Sequence, residues 1–262
     1  MDAFWQIALS VLGGMITVAL VDRLRTFDST VRRWKLLRIF GPDAASDEGI
    51  HVVYTHLILP ELKDPNGNVI MYPYRKPGNR MAAFATSRPV SSAEVRGIKH
   101  LSEALGMGSG NSTKLDTDYE VRGRLDMSFI AIGGPLSNDK THDAIYNAGN
   151  KLVVLEERGF VSRMSGKPLL KVEAGWDYGL IMKCHPSQFP KRIWLVCAGF
   201  GEWGSSGAAW FLAYKWDQIY RRYGSKEFAV IVKVKEDQDE SAEPVLWVDS
   251  EECAERLANA IS

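Results

Sequence analysis

The chain has 262 residues, 45% of them hydrophobic, and its 32 basic side chains balance 32 acidic ones. A chain of this length buries one substantial core, so we expect one globular domain. Because the net charge is zero, no long-range field favours nucleic acid, and we predict no nucleic-acid partner. The three cysteines, Cys184, Cys197 and Cys253, are far apart and form no CxxC pair, which indicates buried thiols in a reducing compartment rather than disulfides or a zinc site.

The N-terminal segment is apolar. Residues 3–21 carry no charged side chain, and as a helix rising about 1.5 Å per residue they would cover about 28 Å, close to the hydrocarbon thickness of a bilayer. We therefore predict that residues 1–22 form one transmembrane helix that anchors the chain in a lipid bilayer, with a buried N-terminal helix as the alternative. Small residues four positions apart within it would allow a homo-oligomer through this helix.

Residues 23–48 form a basic juxtamembrane segment. Six basic side chains follow the apolar stretch, whereas only Asp2 and the terminal amine precede it. Positive charge marks the cytoplasmic side, so we expect the N-terminus outside and the C-terminal domain in the cytoplasm. Val31, Trp34 and Leu37 recur at helical spacing, which predicts a short amphipathic helix whose arginines suit an anionic leaflet.

Residues 49–262 read as an α/β domain in which apolar runs alternate with helical patterns. Breakers between residues 61 and 90 predict a long excursion or an outlying hairpin. Ser91 and Glu94 have the spacing of a capping box at the start of a helix, and the carboxylates of Asp116 and Asp118 are expected in a polar loop. Strands are expected near 50–59, 127–134, 151–156, 178–184, 193–198, 227–234 and 245–249, and the acidic run between the last two is expected to be a solvated loop.

The most informative stretch is the strand of residues 193–198 with the glycines that follow it. Gly199, Gly201 and Gly204 match G-x-G-x-x-G between a predicted strand and a predicted helix, and this resembles the nucleotide-binding turns of Rossmann-like domains. The next acidic residue after the following strand, Glu236, lies 32 residues beyond Gly204 instead of the usual distance of about 20. The resemblance therefore assigns no residue roles, but it predicts a Rossmann-like, mostly parallel sheet with flanking helices.

A second apolar run ends in Gly133 and Gly134, again followed by a helical pattern. Since the carboxyl ends of parallel strands meet at one edge of a sheet, the two glycine turns are expected to flank one crevice. Backbone N–H groups, hydroxyls, an amide and an indole there would bind a nucleotide or another small anionic ligand. The candidate ligand-binding residues are Gly133, Gly134, Ser137, Asn138, Gly199, Gly201, Trp203, Gly204, Ser205 and Ser206.

The chemistry-bearing residues show no established catalytic pattern. The histidines never have the i, i+4 spacing of a metal pair on a helix, and no metal site is predicted. Ser206 is not in a nucleophile elbow, because position 208 is alanine instead of glycine. We therefore expect a membrane-anchored sensor or effector domain for signalling. The alternatives are a nucleotide or NAD hydrolase or glycosyl-transfer enzyme with Glu202 as its acidic group, and a protein-interaction module with structural glycines only.

Overall fold

The computed structural model describes residues 29–46, 49–57, 66, 72–76, 80–84, 89–109, 113–147, 149–157 and 159–261. The uncharged segment 3–21 lies outside these residues, and so does most of the excursion between residues 58 and 88. None of the helices within the described ranges is long and apolar enough to cross a bilayer.

The described residues contain helices and strands in alternation, as expected of an α/β chain. The helices are α1 (29–40), α2 (Ser92–Ser109), α3 (Asp139–His142, continuing as a π-helical turn over Asp143–Asn147), α4 (Glu202–Tyr223) and α5 (Glu251–Ile261). The strands are β1 (His51–Tyr54), β2 (Tyr72–Lys76), β3 (Arg80–Phe84), β4 (Lys114–Thr117), β5 (Phe129–Ile132), β6 (Val153–Glu156), β7 (Gly159–Ser162), β8 (Asp177–Cys184), β9 (Trp194–Gly199), β10 (Phe228–Lys235) and β11 (Gln238–Val248).

The central sheet has seven strands in the order β11-β10-β8-β9-β5-β1-β4. β4, β1, β5 and β9 are parallel to one another, whereas β8 lies antiparallel between β9 and β10. β9, α4 and β10 therefore form a crossover between parallel strands that are separated by one strand. Two short antiparallel pairs, β2 with β3 and β6 with β7, lie outside this sheet. The expected α/β class with a largely parallel sheet is confirmed.

Apolar side chains cover both faces of the sheet. Along β5, Ile130 and Ile132 point into a core that also holds α1, α2 and α4. Phe129 and Ala131, which alternate with them, point into a second core with α3, the β6–β7 pair and α5. A strand that is buried on both faces reads as a continuous apolar run, which is why β5, β8, β9 and β10 could be recognised from sequence.

Three features differ from the sequence predictions, and each lies at the edge of the sheet or domain. β4 occupies a stretch expected to be a loop, and the acidic residues from Gln238 onward belong to β11. Both strands pair on one side only, so they carry polar side chains that weaken the strand pattern. α1 forms where a short amphipathic helix was expected, but it packs Leu36, Ile39 and Phe40 into the core, with at most 1% of each residue exposed, whereas Trp34 of the expected apolar face is 50% exposed.

Candidate functional site

A cavity of about 830 Å³ opens at the carboxyl ends of β1, β5 and β9. These three strands are parallel neighbours, so the turns that follow them meet at one edge of the sheet. Residues after β1, the first turn of α2, the turn after β5 and the start of α4 all contribute to its walls. This is the edge at which open α/β sheets bind ligands.

The structure brings the two glycine turns together around this cavity, as the sequence predicts. Seven of the eleven candidate site residues line it. These are Gly133, Gly134, Ser137, Gly199, Gly201, Glu202 and Ser205. The other four, Asn138, Trp203, Gly204 and Ser206, do not line it, and their side chains or backbone have other roles.

Asn138 is fully buried and joins two strand ends to a helix. Its side-chain oxygen accepts hydrogen bonds from the N–H groups of Lys140 and Thr141, at 2.9 and 3.2 Å. Its amide nitrogen donates to the carbonyl oxygens of Val53 and Ile132, at 3.3 and 3.0 Å. All of its bonding capacity is directed into the protein, so Asn138 shapes the turn after β5 without facing the cavity.

The glycines of the G-x-G-x-x-G stretch allow α4 to approach the sheet closely. A Cβ atom on Gly199 would lie 2.3 Å from the Ser205 nitrogen, and one on Gly204 would lie 2.1 Å from the Tyr178 carbonyl oxygen. Real Cβ atoms essentially never come that near to backbone, so Gly199 and Gly204 are required for packing.

The first turn of α4 is already occupied by a carboxylate from the protein itself. Asp177, at the start of β8, accepts hydrogen bonds from the N–H groups of Gly201 at 3.1 Å and Gly204 at 2.6 Å. In Rossmann-like domains a ligand phosphate takes this position at the positive end of the helix. Asp177 supplies the negative charge instead, which disfavours the expected use of this turn as a phosphate cradle.

Ser206 and Trp203 belong to a cluster on the other side of α4. The Ser206 hydroxyl donates to Asp239 of β11 and accepts from the Arg96 guanidinium at 3.2 Å. Arg96 also lies 3.9 Å from the centre of the Trp203 ring, and His100 contacts Asp239 at 3.2 Å. Burial tends to raise the pKa of Asp239, but the bonds from His100, Ser206 and Arg96 outweigh it and lower that pKa.

This cluster contains serine, histidine and aspartate but lacks the geometry of a catalytic triad. In a triad the serine hydroxyl is bonded to the histidine, which removes its proton. Here the Ser206 hydroxyl is bonded to Asp239 instead. The cluster therefore fastens α2, α4 and β11 together, and Ser206 and Trp203 serve the fold.

Glu94 is the feature of the cavity that sequence reasoning missed. The residue is only 4% exposed, yet it lines the cavity. Its carboxylate accepts hydrogen bonds from the hydroxyl of Thr55 and, at 3.2 Å, from the N–H group of Thr55. The predicted capping box thus has the right residue at the right place, but its carboxylate is bonded to the end of β1.

Burial raises the pKa of the Glu94 carboxyl. The two bonds from Thr55 act against this rise, and the negative charge of Asp118 adds to it. Asp118 is fixed by bonds from the N–H groups of His56 at 2.7 Å and Asp139 at 3.0 Å. A buried carboxyl with a raised pKa holds its proton more readily near neutral pH than an exposed one does, which suits a proton donor.

The backbone after β5 leaves room for this carboxyl. Gly133 has a φ of +112°, and a Cβ atom there would lie 2.6 Å from Oε1 of Glu94. Only glycine combines this backbone conformation with such an approach. The sequence did mark this turn, because the apolar run of β5 ends in the glycines at 133–134. It gave no sign of the contact with Glu94, because Glu94 is distant in the sequence.

Glu202 lies on the same cavity from the opposite helix. The Ser92 hydroxyl in the first turn of α2 donates to Oε2 of Glu202 at 3.1 Å. Glu156 and Glu157 at the end of β6 add two more carboxyl groups to the lining. Among the described lining residues there is no lysine, arginine or histidine, so this part of the wall is negatively charged.

Two large apolar side chains of the cavity lining are exposed to solvent and lie at its mouth, together with the exposed carboxyl groups of Glu156, Glu157 and Glu202. Leu136 is 91% exposed and Phe200 is 37% exposed, and both belong to the two turns that line the cavity. Phe200 is held by Phe160, with ring centroids 4.7 Å apart. Exposed large apolar side chains beside a cleft are typical of ligand contact.

Comparisons with protein-family models, with curated proteins and with solved structures gave no significant match. Within the described ranges, no group of three or more histidine, cysteine, aspartate or glutamate side chains is arranged to hold a metal ion.

Proposed function

We propose that the cavity binds the sugar of a nucleoside-type ligand and that the chain hydrolyses or transfers its glycosidic bond. The observation that carries this proposal is that Glu94 of α2 and Glu202 of α4 line the same cavity in unlike environments. Glu94 is buried with a raised pKa, whereas Glu202 is exposed and hydrogen-bonded to Ser92. Two carboxyl groups in unlike environments are the usual equipment for cleaving a glycosidic bond.

The two groups take complementary roles in this proposal. Glu94 in its protonated form donates its proton to the leaving base as the bond between sugar carbon and base nitrogen breaks, and the base keeps the bonding electron pair. The carboxylate of Glu202 stabilises the positive charge that develops on the sugar ring. A water molecule then adds its oxygen to the sugar carbon and returns a proton to Glu94. In transfer, another hydroxyl compound replaces the water.

The charge of the site favours this ligand over a phosphate-rich one. Four carboxyl groups line the described wall without a basic side chain, and carboxylates repel phosphate. Asp177 already occupies N–H groups at the start of α4. A sugar ring that gains positive charge is stabilised by the same wall, and an aromatic base would contact Leu136 and Phe200 at the mouth. In this proposal the cavity therefore contacts the sugar and the base of the ligand, and not its phosphates.

We also propose that residues 3–21 span a membrane once and that the α/β domain is cytoplasmic. The support is the uncharged stretch followed by six basic side chains.

A membrane-anchored sensor would use the same cavity without turnover. The sensor function is supported by the segments that bound the cavity, which follow β1 and β5 and begin α2 and α4. One bound ligand would bridge these four segments.

The test is turnover by the full chain in nanodiscs. A panel of nucleosides, nucleotides and NAD is incubated with the protein, and release of the free base is measured by chromatography. Glu94→Gln and Glu202→Gln are compared with Glu252→Gln, which changes an exposed glutamate on α5. We expect loss of about 10²-fold or more in each cavity variant, the usual contribution of one acid or base, and an unchanged rate in the control.

The outcomes separate the candidate functions. Turnover that survives in both cavity variants contradicts the roles of Glu94 and Glu202. Absence of turnover, together with thermal stabilisation by one panel member that is lost in Glu94→Gln, favours the sensor. Absence of both turnover and stabilisation contradicts the ligand-binding proposal.

A further inference from the structure

α1 is fixed to the far end of α4. The buried amine of Lys183 donates to the carbonyl oxygen of Arg38 at 2.7 Å and to that of Ser225 at 3.1 Å. Arg38 lies in the last turn of α1, and Ser225 lies just beyond the end of α4. Lys35 of α1 also lies 4.0 Å from Asp217 of α4. The two helices therefore present one continuous surface.

This surface, which we call the basic end, combines positive charge with an exposed indole. Trp34 is 50% exposed and contacts Tyr220 of α4 with ring centroids 6.1 Å apart. The Arg38 guanidinium lies 4.9 Å from the centre of the Trp34 ring. The exposed basic residues of the basic end are Arg32, Arg33, Arg38, Arg221, Arg222 and Lys226.

Acidic side chains offset little of this charge. Asp217 is bonded to Arg221 at 2.6 Å and also lies near Lys35. Asp249 acts electrostatically on the nearby Tyr223, and Glu227 acts on Lys183 and contacts His185. The remaining arginines and Lys226 leave the basic end positive, although the whole chain is neutral.

The basic end and the cavity lie at opposite edges of the sheet. α4 begins at Glu202 beside the cavity, which lies at the carboxyl ends of the parallel strands. The chain then enters β10, which is parallel to β9, so α4 ends at the amino ends of these strands. The 22 residues of α4 extend about 33 Å at 1.5 Å per residue. A partner on the basic end would leave the cavity open.

We propose that the basic end lies on an anionic lipid leaflet, with the cavity about 30 Å away and facing the solvent. Charge complementarity supports this partner, because each basic side chain near such a surface strengthens binding roughly fivefold. An amphipathic indole such as that of Trp34 is typical of the membrane interface. The uncharged residues 3–21 also precede α1 by only a few residues, which keeps the basic end near any bilayer that this segment enters.

The test measures lipid contact at both ends of the domain. Ser225→Cys and Ser137→Cys make the same chemical change at two exposed positions, one on the basic end and one beside the cavity. Cys253 is replaced by serine in both, and the other two cysteines are buried. The full chain carries a fluorophore on the new cysteine in nanodiscs of phosphatidylcholine, with or without phosphatidylserine, that contain a quenching lipid.

We expect strong quenching at position 225 that depends on phosphatidylserine, and little quenching at position 137. Neutralising Arg221 and Arg222 to glutamine should weaken the contact by about 25-fold, as two charges predict. Equal quenching at both positions overturns the proposal. So does quenching at position 225 that does not depend on phosphatidylserine or on the two arginines. Loss of the contact on adding a short oligonucleotide, which would make nucleic acid the preferred partner, also overturns it.

Discussion

Replacing Gly199 by alanine tests whether the glycines of the G-x-G-x-x-G stretch serve packing. The new Cβ atom would lie 2.3 Å from the Ser205 nitrogen, whereas ordinary contacts begin near 3.4 Å. The start of α4 would have to move away from β9 by about 1 Å. Overpacking of this kind costs about 1–3 kcal/mol, and contact with rigid backbone places Gly199→Ala at the upper end.

Gly106→Ala is the matched control. Gly106 is an exposed position of α2, and a Cβ atom there would have no neighbour within 4 Å. Alanine at such a helix position is more favourable by about 0.5–1 kcal/mol. The same substitution should thus change the free energy of unfolding in opposite directions at the two sites, with a difference of about 3–4 kcal/mol.

Urea unfolding of the full chain in one detergent, followed by tryptophan fluorescence, measures both changes. The midpoints should shift without a change in slope, since neither substitution alters the surface exposed on unfolding. A cost below about 1 kcal/mol for Gly199→Ala would refute the packing role of this glycine.

Three further predictions concern charged groups. Glu94→Gln should stabilise the fold by about 0.5–2 kcal/mol at pH 7. Burial raises the pKa of Glu94, and a carboxyl group with a raised pKa in the folded state lowers stability as pH rises from 4.5 through that folded-state value. Destabilisation of Glu94→Gln in thermal melts at pH 7 would contradict this. Burial lowers the pKa of Lys183 from 10.5 to about 8, so wild-type stability should rise by about 3 kcal/mol between pH 8 and 10.5. Urea unfolding should show this rise in the wild type and not in Lys183→Met, and identical pH profiles would rule it out. Asp177→Ala removes the acceptor of two N–H groups at the start of α4 and should lower the free energy of unfolding by about 1–2 kcal/mol. An unchanged free energy of unfolding would show that this carboxylate does not cap the helix.

Much of the fold could be predicted because buried strands leave a direct record in the sequence. β5 and β9 are continuous apolar runs that end in glycines, and they proved to be parallel neighbours. That adjacency placed the turns at 133–137 and 199–205 on one cavity. Edge strands leave a weaker record, and β4 was missed since its polar residues face solvent on an open edge.

The chemistry of the site was harder to predict because it depends on contacts between distant residues. Glu94 had an adequate local explanation as a capping residue, and only the fold brings it to Thr55 and Gly133. Asp177 had no visible partner in the sequence, yet it accepts hydrogen bonds from N–H groups that the glycine motif was expected to offer to a phosphate. Neither contact has a spacing that a motif could reveal.

The most direct test of the central proposal is the affinity of the cavity for a positively charged sugar mimic. Isothermal titration compares an iminosugar, whose ring nitrogen is protonated, with a neutral sugar analogue of the same shape. We predict at least tenfold tighter binding of the cation, lost in Glu202→Gln, because carboxylates at the cavity stabilise positive charge on the ring. Equal affinity for the two compounds, or tighter binding of a phosphorylated sugar, would contradict the proposal.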